Sequence, residues 1–152
     1  MSDRGTSSQG HGYAGDLPVT EAWRLLNSDP RAQLIDVRTV AEWSYVGVPD
    51  LAALGRELIT VEWQRFPDMG VNPDFAVETK AALARAGAAP DAPLLFLCRS
   101  GVRSRAAAIA MSQAGFSRAY NLAGGFEGDL DAERHRGSKS GWKAAGLPWR
   151  QS

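Results

Sequence analysis

The segment Pro93-Leu-Leu-Phe-Leu97 is apolar at successive positions, with none of the alternation that a half-exposed strand shows. A strand of this kind must be covered on both faces. Gln33-Leu-Ile-Asp-Val37 reads the same way, and Phe116 to Leu122 and Leu58 to Val61 are further strand candidates. Between them lie helical patterns: Thr20 as the N-cap of a helix through Leu26, Val40 to Tyr45, Asp74 to Ala86 behind an Asn72-Pro73 start, Ser104 to Ala114, and Gly141 to Ala145. Doubly buried strands alternating with helices predict an α/β fold, a parallel sheet with helices on both faces. Pro18-Val19 is expected as a short edge strand, Val46 to Asp50 as a loop, and Glu62 to Asn72 as an irregular stretch.

The chain of 152 residues, 44% apolar and 22% charged, is long enough for one domain with a proper core. Residues 1–15 are Gly- and Ser-rich without periodicity and are expected to be a flexible tail, leaving 16–150 as the single domain. Lys+Arg and Asp+Glu number 17 each. That balance gives no general attraction to nucleic acid or to an acidic membrane surface, so any electrostatic recognition is local. The N-terminus has no apolar h-region, and no run is long enough to span a bilayer, so a cytoplasmic location is expected.

The chain holds one cysteine, Cys98. It can form no internal disulfide and no multi-cysteine metal site, and a lone thiol suits a reducing compartment. It stands immediately after the most apolar strand and before a small-residue helix, the position where α/β folds bind ligands. Arg99, Arg103 and Arg105 lie within seven positions of it. The intervening Arg99, Ser100, Gly101, Val102 and Arg103 can curl so that backbone N–H groups point inward, with Gly101 supplying a backbone angle other residues resist. Helix N-termini and neighbouring arginines commonly bring a thiol from about 8.5 to roughly 3.5–7.5. Cys98 is therefore a candidate nucleophile, open to solvent, and the arginines are candidate anion clamps. The alternative use of a lone cysteine is as a small buried hydrophobe.

The stretch Cys98-Arg-Ser-Gly-Val-Arg-Ser104 resembles the active-site loop of the rhodanese-like superfamily of single-domain sulfurtransferases. Leu34-Ile-Asp-Val-Arg38 with Glu42-Trp43 is similar to that family's upstream signature, and Tyr120-Asn-Leu-Ala-Gly-Gly-Phe126 resembles its strand and turn after the active-site helix. Val46-Gly-Val-Pro-Asp-Leu51 departs from the family's Gly-His-Ile-Pro-Gly-Ala pattern by lacking the histidine. The resemblance implies a three-layer fold with a mainly parallel five-stranded sheet. It implies sulfur transfer from an anionic donor such as thiosulfate to cyanide or a thiol through a Cys98 persulfide, with no cofactor and no metal. A protein acceptor fits the same scheme.

In that scheme Arg99 faces the donor, Arg103 closes the loop or binds the anion, and Ser100 and Ser104 add hydroxyl donors. Asp36 and Arg38 form a supporting charged pair that orders a loop, and Glu42-Trp43 fixes the loop through hydrogen bonding and packing. Six residues from Cys98 to Arg103 make a tighter loop than that of phosphatases on a related fold, which favours sulfur over phosphate. A phosphatase or arsenate reductase, and a non-catalytic partner-binding module, are the rival readings. His135, in a charged stretch, is expected to be solvated, and Trp142, Leu147 and Trp149 are expected as core anchors.

Overall fold

The computed structural model describes residues 12–65 and 68–151. In chain order the elements are β1 (Gly15–Pro18), α1 (Val19–Ser28), β2 (Gln33–Asp36), α2 (Val40–Tyr45), β3 (Val48–Pro49), a 3-10 turn (Ala52–Leu54) and β4 (Ile59–Thr60). Then come β5 (Gln64–Arg65), β6 (Gly70–Val71), α3 (Phe75–Arg85), β7 (Leu94–Leu97), α4 (Val102–Gln113), β8 (Ala119–Ala123), α5 (Gly141–Ala144) and β9 (Trp149–Arg150). Five strands form the central sheet in the order β1-β8-β7-β2-β4, with every pairing parallel. The expected five-stranded α/β architecture is the observed one.

The apolar runs are central because both of their faces are buried. All four β7 residues are fully buried. Leu94 and Phe96 join Ile35 and Val37 in a cluster with Phe75 and Leu83 of α3 and Ala107, Ala108 and Met111 of α4. Leu95 and Leu97 join Leu34 in a second cluster with Ala22 and Leu26 of α1 and Trp142 of α5. The period of two along the strand thus distributes one run between two helical layers. Alanines on α4 keep that helix close to the sheet, where the loop entering it begins.

Several expectations are corrected. The tail was expected to reach residue 15, but β1 begins at Gly15 and pairs with β8 from Tyr120. Tyr13 is 4% exposed, and the Ala14 N–H donates to the Ala119 carbonyl at 2.9 Å. An aromatic ring and a paired backbone anchor this segment despite its polar composition; residues 1–11 lie outside the described part. α1 starts two residues earlier than expected, with Pro18 instead of Thr20 at the N-cap position and no side-chain cap. The Val46 to Asp50 loop contains β3, which pairs antiparallel with β9, and the irregular stretch contains the β5–β6 hairpin. Trp149 is 40% exposed and is no core anchor. It lies over the Lys143 ammonium at 3.9 Å, a contact that stabilises a ring at the surface.

Candidate active site

Cys98 follows β7 on the same face as Leu94 and Phe96, directed toward α3 and α4. Gly101 is the N-cap residue of α4 with φ 123°, and a Cβ there would meet nothing nearer than 3.7 Å. Its requirement for glycine is thus conformational, not spatial. This turn brings the Gly101 N–H to 3.1 Å from Cys98 Sγ, and Ser104 Oγ, in the first turn of α4, lies 3.2 Å from the same sulfur. The sulfur faces the Gly101 N–H at a helix N-terminus, an arrangement suited to negative charge.

Cys98 is only 1% exposed, which corrects the expectation of a solvent-open thiol. Its place in an inward-facing row of β7 and the loop folding back over it account for the burial. Access is through a cavity of about 390 Å³. Glu42 and Arg103, Gln64 and Met69 of the hairpin, and Arg99, Ser100 and Val102 of the loop line it with Cys98. Arg99 is exposed, and Val102 is 79% exposed. Met69 holds a left-handed backbone with φ 59°, a strained state of the kind found where chains shape a site. A larger cavity, about 570 Å³, lies along the β4 edge beside Arg56 and Arg85, away from Cys98.

Arg103 does not face this cavity as a free clamp. Its two terminal nitrogens donate to the two Glu42 carboxylate oxygens at 2.7 and 2.9 Å. Glu42 also closes a capping box with Thr39 at the start of α2, accepting from the Thr39 N–H at 3.2 Å while Thr39 Oγ1 accepts from the Glu42 N–H at 3.3 Å. Burial pushes the Glu42 carboxyl up, but Arg103 and Thr39 outweigh it and bring it down to about 2. The pattern Thr39-Val-Ala-Glu42 announces the cap in the sequence; its clamp on Arg103, 61 positions away, has no local signal.

Asp36 and Arg38 are fully buried and bidentate, at 2.9 Å (Nε–Oδ1) and 2.6 Å (Nη2–Oδ2). Arg38 also donates to the Gly47 carbonyl at 2.7 Å, and its guanidinium lies 4.3 Å from the Phe126 ring centroid. The pair thus ties the end of β2 to the neighbouring loops. Gly125 (φ 61°) packs against the strand end itself: a Cβ there would stand 2.5 Å from the Cys98 carbonyl oxygen. The Phe126 N–H donates to that same oxygen at 2.8 Å. His135 is exposed in a loop organised by Asp131. Among the described residues no cluster of His, Cys, Asp or Glu is suited to a metal, and no helix is long and apolar enough to cross a membrane.

With this geometry in view, the rhodanese-like domain model matches residues 18–132, and the chain belongs to that family, which is of sulfurtransferase type. Two curated relatives are Uncharacterized protein RC0915 of Rickettsia conorii and Uncharacterized protein RP600 of Rickettsia prowazekii, 36% and 33% identical over 130 residues. Each match covers 86% of this chain and 92% of the relative. The crystal structure of Rv0390 from M. tuberculosis superposes with a TM-score of 0.82 at 51% identity, covering 92% of this chain and 99% of that one. The solution structure of the polysulfide-sulfur transferase homodimer from Wolinella succinogenes shares the fold, with a TM-score of 0.55, 21% identity and coverage of 99% and 95%.

Proposed function

We propose that the protein is a sulfurtransferase that carries sulfur as a Cys98 persulfide. The observation that carries this reading is a lone sulfur on the floor of a cavity, 3.1 Å from the Gly101 N–H at the start of α4. The Cys98 thiolate attacks the outer sulfur of an anionic donor such as thiosulfate. A bond forms from Sγ to that sulfur, the donor's sulfur–sulfur bond breaks, and sulfite leaves with the bonding pair. Cyanide or a thiolate then attacks the outer sulfur and releases the Cys98 thiolate, so neither half needs a cofactor.

The sulfur added to Sγ projects about 2 Å farther, into the space the cavity provides. Arg99, the exposed cation of the loop, meets the donor's charge, while Ser100 lines the approach. Arg103, held by Glu42, closes the loop instead of binding the anion. Asp36 and Arg38 support the strand end. A lone thiol acting in this way belongs in a reducing compartment such as the cytoplasm. Cys98→Ser is expected to abolish thiocyanate formation from thiosulfate and cyanide with thermal unfolding unchanged; undiminished formation in that variant overturns the reading.

A further inference from the structure

Ser104 Oγ has a single hydrogen and two acceptors in reach: Cys98 Sγ at 3.2 Å and Asn121 Oδ1 at 2.5 Å. Two oxygens that close have a hydrogen between them, and an amide oxygen carries none. The Ser104 hydrogen therefore points at Asn121, away from the sulfur. What fixes the Asn121 amide in this sense is Asp16 on β1, whose Oδ1 accepts from Asn121 Nδ2 at 3.0 Å. The same oxygen accepts from the Tyr13 hydroxyl at 2.8 Å. Burial, and then the bond to Asp16, raise the Tyr13 phenol above its usual value, so it remains a donor at neutral pH. Ser104 is fully buried and Asn121 2% exposed, so their contact is shielded from water, while Asp16 itself is exposed at the sheet edge.

We propose that Asn121, set by Asp16 and Tyr13, is a positioning residue that draws the Ser104 hydroxyl off Cys98 and so restrains the reactivity of the resting sulfur. This rests on Cys98 being the nucleophile of the proposed reaction. A protonated Cys98 can donate its S–H to the Ser104 lone pair; a thiolate needs the Ser104 hydrogen, which must first leave Asn121. The sheet edge thereby sets how reactive the resting sulfur is. The other ionisable groups near Cys98 are Arg99 on the loop, the Glu42–Arg103 pair joining α2 to α4, the Asp36–Arg38 pair at β2, and Arg105 beside Tyr13. All of them are common to the variants below and cancel in the comparison.

The test is the rate of Cys98 alkylation by iodoacetamide as a function of pH, in folded protein judged by cooperative thermal melting. In Asn121→Ala the freed hydroxyl turns to the sulfur. The profile is expected to move to lower pH, with a gain on the order of tenfold in rate at neutral pH. Asp16→Ala lets the Asn121 amide turn its NH2 group toward Ser104, and the profile moves in the same direction. This edge-strand variant carries the test should Asn121→Ala not fold. Both shifts are expected to vanish when Ser104→Ala is added. No shift, a shift to higher pH, or an equal shift in the Ser104→Ala background overturns the proposal, the last by assigning the effect to loss of charge or packing. Alkylation does not depend on sulfur transfer, so this proposal and the sulfurtransferase reading fail separately.

Discussion

Arg103 meets Glu42 with both terminal nitrogens, and this one contact converts an expected anion clamp into a fastener between α2 and the cysteine loop. Both side chains are mostly buried, 15% and 19% exposed, so the pair is screened far less than a surface ion pair. A carboxylate whose folded value lies below its unfolded one stabilises the fold above the unfolded value, and that support fades as pH falls to the folded value. For Glu42 the window runs from its ordinary 4.5 down to about 2. Acid titration of stability is expected to show a loss on the order of 3 kcal/mol across it. Glu42→Gln, which keeps the side-chain shape, is expected to be less stable at neutral pH and to lack that loss. Denaturant unfolding at stepped pH checks both statements, and an unchanged acid response in the variant contradicts them.

The β7–loop–α4 unit is positioned by its neighbours as much as by its own sequence. The turn at Gly124 and Gly125 leads from β8 across the strand end, and the Glu127 and Gly128 N–H groups both donate to the Arg99 carbonyl at 3.0 Å. Gly125→Ala places a methyl against the Cys98 carbonyl and demands a left-handed backbone besides. It is expected to cost about 1–3 kcal/mol and to slow Cys98 alkylation by displacing the loop. A melting temperature and alkylation rate equal to the parent's contradict that account.

At this scale the sequence was readable where burial was continuous. β7 was plain because four consecutive apolar residues are buried on both faces, and α4 because it follows directly. β1 was blurred because Gly15-Asp-Leu-Pro18 carries little strand signal and is held by pairing to β8. The β5–β6 hairpin was not legible, since two-residue strands are too short to show a period, and Met69 and Gln64 reach the cavity only through it.

The folded molecule extends beyond residues 18–132, the span that the rhodanese-like domain model matches. That span ends at residue 132, yet Trp142 is fully buried, forms an edge contact with Trp23 of α1 at 5.8 Å, and donates its indole N–H to the Pro148 carbonyl at 2.7 Å. From there the chain returns to pair β9 with β3. Trp142→Ala is expected to cost about 3–5 kcal/mol, read as a lower denaturant midpoint with an unchanged slope. A midpoint equal to the parent's contradicts the assignment of this residue to the core. The candidate site was legible in part for a related reason. Cys98, Arg99 and Gly101 fall within one short stretch and announce themselves, whereas Asn121 meets Asp16 across 105 positions through the parallel pairing of β8 with β1. Such a pair has no meaning until the sheet order is known.

The central claim is that the buried Cys98 sulfur accepts one further sulfur inside its cavity. Intact mass spectrometry after incubation with thiosulfate and with organic persulfides tests it most directly. The account predicts a gain of one sulfur atom that reductant removes and that Cys98→Ser never shows. No gain with any donor, or an equal gain in the serine variant, contradicts it.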